Sequence, residues 1–380
     1  MRNQASELDA FSRVCHRGGQ SRAERQAQQK KQISHCLRDF YHEPPREGTR
    51  PTTCRPGPPT RRFMVPMRAK FGVGAFPEPP PSCVKSPRSR HRASGGFSCF
   101  VSCVLLSLFF ATHVNAAESQ VEELHKQAQA AFDRKENDKA LALAQKAIEA
   151  DPKNPQSYYF RGNLHDALKQ YQKAVADYDE VLKLNRNTKR VYQLRGVAHF
   201  KLGHIQESIA DFDQFIKLEP AQAPYHWQRG IAYYYAGRYV EGRKQFELHQ
   251  TVNASDVENA VWHFLCVARS DGVKKAGESL IKIGRDSRVP MMEVYALFAG
   301  KGSAEDVLAA AKAKDPAPEE LKQRLFFAHL YLGLYYEALG DNKRAKEHIL
   351  KSVDEYPAEH YMGDVARVHA KLRWEEWMKN

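Results

Sequence analysis

The chain is 380 residues long and carries 58 Lys+Arg against 45 Asp+Glu, a formal net charge of +13. The excess sits at one end: residues 1–116 hold 19 of the basic residues and 7 of the acidic ones, so the remaining 264 residues are close to neutral. Basicity therefore gives no ground for nucleic acid as a partner of the folded region. Six of the seven cysteines precede residue 117, so the rest of the chain can build neither a disulfide framework nor a thiolate zinc site.

Residues 1–96 lack hydrophobic periodicity and are rich in Arg, Pro, Gly and Ser, as in Arg55-Pro56-Gly57-Pro58-Pro59. Such a segment buries too little apolar surface to offset chain entropy, and disorder is predicted. Next come Lys85, Arg88, Arg90 and Arg92, an apolar run from Phe97 to Ala111, and small residues at Val114 and Ala116. Residues 97–116 thus read as the apolar and cleavage region of an export signal, cut before Ala117. The run falls short of the ~20 residues of a membrane span, and no cysteine stands just after it to accept a lipid. The product expected is soluble, without a lipid anchor, and periplasmic or secreted. A signal this far into a chain has two explanations. Either the start codon is assigned too far upstream, with Met64 or Met67 nearer the true one, or the signal is an uncleaved anchor that leaves a basic cytoplasmic tail.

From residue 121 the chain repeats every 34 residues, most visibly at Arg161-Gly162, Arg195-Gly196 and Arg229-Gly230. Small residues recur at position 8 (Ala128, Gly162, Gly196, Gly230) and position 20 (Ala140, Ala174, Ser208, Gly242). Large side chains stand at position 24 (Tyr178, Phe212, Phe246), and Pro152 and Pro220 close units at position 32. Small residues let two helices cross closely, large ones fill the space around the crossing, and proline ends the second helix for want of an N–H. Residues 117–256 therefore hold four such units. Residues 257–325 are helical by pattern without the consensus, with hairpin turns expected at Gly272, Gly284 and Pro290. Residues 326–380 hold a final unit around Gly333, Ala345 and Ile349. After it the stripe Tyr361, Val365, Val368, Leu372 is expected to cap the open end.

This pattern resembles the tetratricopeptide repeat, and the resemblance implies an all-α fold, a solenoid of antiparallel helix hairpins with a C-terminal capping helix. Signal, four units, divergent middle and final unit follow an order similar to that of the NlpI-like tetratricopeptide proteins of the bacterial cell envelope. The stretch from Ala328 to Asp341 carries most of that likeness, and Ala260-Val261-Trp262 adds to it. It implies an adaptor that holds envelope hydrolases or a protease against their partners, often as a homodimer.

In such a solenoid, positions 2, 5, 9, 12 and 13 of each unit face a concave groove that binds a protein or peptide partner. The groove candidates are Tyr159 and Asn163 in the second unit, and Arg190, Gln193, Phe200 and Lys201 in the third. The fourth adds Trp227, Ile231, Tyr234 and Tyr235. Exposed Trp and Tyr suit a binding hot spot; the competing reading packs these aromatics against the divergent segment. A clamp for a chaperone's C-terminal carboxylate would use the positions of His125, Gln129, Phe160, Arg190 and Leu194, of which only Arg190 suits that task. There is no candidate triad, phosphate loop or His-Glu-x-x-His, so no enzyme, cofactor or metal is expected. His165 and His199 at position 11 read as packing residues, and Cys266, in an apolar helical run, reads as a buried thiol rather than a nucleophile. Trp374, Trp377 and Met378 are either a partner or dimer contact or part of the cap.

Overall fold

The structure, a computed structural model, describes residues 119–379; the basic segment 1–96 and the signal region 97–116 lie outside the described residues. Among the described residues every regular element is helical, and no helix is long and apolar enough to cross a membrane. The four 34-residue units are hairpins. They comprise α1 (119–133) with α2 (Asn137–Ala150), α3 (Pro155–Ala167) with α4 (Tyr171–Leu184), α5 (Lys189–Leu202) with α6 (Ile205–Leu218), and α7 (Trp227–Tyr235) with α8 (Tyr239–Gln250). Local chemistry sets the boundaries. The Asn154 side chain accepts from Gln156 N at 2.9 Å and Pro155 takes the first helical position, where no N–H is needed. Gly203, at φ 80°, ends α5 in the left-handed region.

Each hairpin closes on one crossing. A Cβ on Gly162 would meet the Tyr178 ring at 2.8 Å, and one on Gly230 would meet the Phe246 ring at 2.7 Å; Gly196 stands likewise against Phe212 and Gly333 against Ile349. The neighbouring arginines tie the same crossing to the unit before it. Arg195 donates to Asp211 in its own unit (2.6 and 2.8 Å) and to Asp179 in the preceding one (2.6 Å). Arg161 holds Asp177 and Gln145 in the same way, and Arg229 holds Gln245 and Asp213. The Arg-Gly pair thus does two tasks on adjacent residues: glycine admits the helix, and arginine bridges three helices.

The fourth unit departs from the template. Pro220 and Pro224 hold residues Pro220–Tyr225 in a 3-10 turn, so α7 begins only at Trp227 and runs nine residues. Beyond it lie α9 (Val257–Asp271), α10 (Val273–Glu278), α11 (Met291–Phe298) and α12 (Ala304–Lys312). α9 packs on α7 and α8 and so continues the stack, and an irregular stretch separates α10 from α11. The final unit starts earlier than the sequence pattern suggests. α13 spans Pro318–Ala338, and its partner α14 covers Asn342–Leu350. Residues 325–334 of α13 are buried without a break, because α9, α11, α12 and α14 surround it. A helix buried on every side shows no amphipathic edge to mark its start.

The last helix, α15 (Tyr361–Lys379), packs on α14 as a cap would. It also folds back onto α5, some 170 residues earlier, where Lys371 Nζ donates to the Leu202 carbonyl at 2.8 Å; Glu359, just before the helix, pairs at 2.5 Å with Lys169 in the turn between α3 and α4. Gly230→Ala tests the crossing. An open helical glycine would gain about 1 kcal/mol from alanine, whereas here overpacking should cost about 1–3 kcal/mol, read as a lower urea midpoint.

Candidate functional site

The structure divides the expected groove in two. At the end nearest the N-terminus, Arg190 is exposed, and Asn163, Gln193 and Lys201 are half-buried. Asn163 Oδ1 accepts from the Tyr178 hydroxyl at 2.9 Å, and Lys201 Nζ reaches both oxygens of Asp166 (2.8 and 3.0 Å) while lying 4.8 Å from the centre of the Tyr171 ring. Gln193 Oε1 meets His226 Nε2, and its Nε2 donates to Gln228 at 3.4 Å. Asn163, Gln193 and Lys201 are thus polar groups on successive first helices, each oriented by a neighbour in another element.

The aromatic end is not open, and the expectation of an exposed groove there is corrected. Tyr159, Phe200, Ile231 and Tyr234 are all buried, and Trp227 and Tyr235 are half-buried. Tyr159 packs with Ala174, Val175 and Tyr178 in a core between the second and third units. The others are covered by α9 and α15. Tyr361 stacks on Phe200 (centroids 5.4 Å apart, 23° between planes) and stands edge-on to Trp227 (5.1 Å, 87°). Trp262 of α9 meets Tyr234 edge-on at 5.4 Å. The divergent segment therefore takes part of this surface and the C-terminal helix takes the rest. The occupant, Tyr361, belongs to the stripe read from sequence as an end cap; that stripe fixes which face of α15 is apolar and is silent about what the face meets.

One carboxylate, which the sequence reading did not single out, holds α15 in place. Glu337, near the end of α13, is 6 % exposed, with His369 Nε2 and Arg373 Nε of α15 each 2.8 Å away and Arg269 of α9 at 3.5 Å. Burial pushes its carboxyl up, but the charges of His369 and Arg373 outweigh burial and leave it at about 2. His369 is wholly buried, and its Nδ1 lies 3.1 Å from the Tyr235 hydroxyl. A lone acid inside Leu334-Tyr335-Tyr336-Glu337-Ala338 is the signal that sequence offered for this latch. Of the terminal residues, Trp377 is buried, and Trp374 is half exposed with Lys346 Nζ 5.7 Å from its ring. Cys266 is buried, and burial pushes its thiol up, away from the thiolate a nucleophile needs.

Tyr361→Ala should remove the ring between Phe200 and Trp227 and cost about 3 kcal/mol. Amide exchange should then speed up in residues 361–379 more than in α3 and α4. Acid should loosen the fold in two stages. Burial lowers His125, His226 and His329 from 6.5 to about 4, so each stays neutral in the folded chain. Between pH 6.5 and 4 the unfolded chain then binds more protons, and stability falls as pH falls, by about 1–2 kcal/mol per imidazole after allowance for screening. Glu337 acts lower: its contribution is complete above the ordinary 4.5 and is lost as pH drops toward 2. Thermal melts from pH 8 to pH 3 should show a plateau above 6.5 and a steady decline beneath it.

Three segments match tetratricopeptide repeat families: residues 155–188, 194–255 and 327–358. No curated protein matches the chain. Among solved structures, a tetratricopeptide repeat protein from Parabacteroides merdae is 16% identical, with 67% of this chain and 99% of that one covered at a TM-score of 0.45. YrrB, described as a TPR protein with an unusual peptide-binding site, is 18% identical over 53% of this chain and 97% of its own, with a TM-score of 0.40. MamA from Desulfovibrio magneticus RS-1 is 20% identical over 42% and 90%, with a TM-score of 0.39. The 34-residue period, the helix hairpins and the three family matches agree that this chain is a tetratricopeptide repeat protein.

Proposed function

We propose that the chain is an exported, non-catalytic scaffold that binds another protein or peptide along the first helices of its first three units. The observation that carries this reading is the division of the groove. The aromatic end is occupied from within, while α3 and α5 keep Asn163, Arg190, Gln193 and Lys201 at the surface or half-buried. Successive hairpins set such side chains along a common face, which is what an extended partner requires. The face is polar with one exposed arginine, so it suits a polar or acidic segment better than a greasy one. Export, and assistance to envelope hydrolases or a protease, rest on the apolar and cleavage region at 97–116 and on the likeness to the NlpI-like layout. Membrane attachment through an uncleaved anchor with a retained basic tail is the competing reading.

The test is a photocrosslinking residue placed at Arg190 in the native host, with the same residue at exposed Val240 of α8 as control. Capture of a discrete envelope protein from position 190 alone is expected. Identical products from both positions, or none from either, would sink the proposed face. Sequencing the purified protein from its N-terminus should find Ala117 first, and a retained tail would favour the anchored alternative.

A further inference from the structure

α9 opens the divergent segment, and three of its buried side-chain atoms, on Asn259, Trp262 and His263, lack a hydrogen-bond partner; the first two residues line one cavity. Trp262 is 1 % exposed, and its indole N–H has no acceptor. Asn259 is 3 % exposed; its Nδ2 donates to the Phe246 carbonyl at 3.1 Å and to Gln250 Oε1 at 3.0 Å. Those two bonds fix the orientation of the amide and leave Oδ1 without a donor. Three residues apart, the pair shares one face of the helix, and both line a cavity of about 140 Å³. Trp227 and Ile231 of α7 and Met362 of α15 give that cavity its apolar wall, so it is the part of the fourth unit's groove that α15 leaves unfilled. Glu258 also lines it, but its carboxylate is engaged by the Tyr331 hydroxyl and by Arg288.

We infer that this cavity is a pocket for a neutral carboxamide, the side chain of an asparagine or glutamine on a partner protein. The pair offers one donor and one acceptor, and a buried polar group left alone is costly. A carboxamide completes both, its oxygen accepting from the Trp262 N–H and its NH₂ donating to Asn259 Oδ1. A carboxylate would serve only the indole, and it would face Glu258 and Asp256 across the cavity. An ammonium would meet Asn259 Oδ1 and the Asp256 and Glu258 carboxylates, which Arg288 already engages, but it would leave the indole N–H without an acceptor. The volume is well above the ~10–15 Å³ that a single water needs, which leaves room for a short amide beside Trp227 and Trp262. The inference rests on the scaffold reading for the source of the carboxamide alone; the chemistry of the pocket can be tested without it.

Propionamide, propionate and propylammonium have similar size and differ in charge and hydrogen-bonding capacity. Titrated separately into the full chain carrying ¹⁵N-labelled tryptophan, they report through the indole resonance of Trp262, assigned by its loss in Trp262→Phe. Propionamide should shift that resonance saturably and bind roughly tenfold tighter than either ion. Trp262→Phe should abolish the preference, followed through methyl resonances, with helical circular dichroism unchanged. Trp227→Phe, which keeps both partners of the pair, should retain the preference and guards against a folding defect in the first variant. Tightest binding by propylammonium would mean an acidic cavity, and no shift with any probe would mean a site for water only; either overturns the inference. Crosslinking from position 190 judges the scaffold separately. Propionamide binding without any crosslink would leave the pocket standing and the scaffold reading failed, and the reverse pair of results would do the opposite.

Discussion

The close approach of two helices within each hairpin is the constraint from which the rest of the structure follows. At 162, 196, 230 and 333 a glycine lies directly under a ring or a branched side chain sixteen residues later. At these four crossings no space remains for a Cβ, so the two helices can meet only where glycine stands. A fixed crossing in turn places the preceding arginine where its planar fork reaches both helices and the unit before. That geometry favours guanidinium over ammonium. Asp177 and Asp211 are nearly buried beneath these arginines, and a buried carboxylate without its partner would be strongly destabilising. Helix spacing, the stacking of units and the placing of the first-helix side chains are thus consequences of one steric condition repeated along the chain.

A period is readable from a sequence because it depends on residues near one another along the chain. Gly162 and Tyr178, or Arg195 and Asp211, belong to one unit, and their spacing recurs 34 residues on, so the hairpins and their crossings were legible throughout. Three features lacked such a signal. The 3-10 turn before α7 came from two prolines, Pro220 and Pro224, of which only the first fits the template. The early start of α13 was hidden because its surroundings bury all its faces. The covering of Trp227, Ile231, Tyr234 and Tyr235 depended on α9, which the competing reading had allowed for, and on α15, whose stripe told which face was apolar and nothing of its destination. Position within a repeat predicts direction relative to the hairpin; it cannot tell open groove from groove filled by a distant helix.

The Glu337 latch shows why the C-terminal third differs in character from the repeats. In the first units the bridging arginines pair with acids on adjacent helices. Glu337 instead gathers groups from α9 and α15, while the Tyr235 hydroxyl of α7 closes the far side of His369. A single buried acid therefore couples four helices that no short-range pattern relates. Such a cluster is demanding: with all partners present it specifies one arrangement, and with one missing it leaves charge in a dry interior.

The return of α15 to α5 also bears on how the chain is made. A stack of hairpins with only neighbouring contacts can acquire structure unit by unit as it leaves the ribosome. Here the surface formed by Phe200, Trp227 and Tyr235 emerges early, while the helix that covers it comes last, after more than a hundred further residues. At ~5–20 residues per second, that surface waits roughly 6–25 seconds for Tyr361 to be synthesised, and closing so long a loop adds an entropic delay. Nascent chains of this protein thus carry an uncovered aromatic face during translation, and the finished molecule hides it with its own final helix.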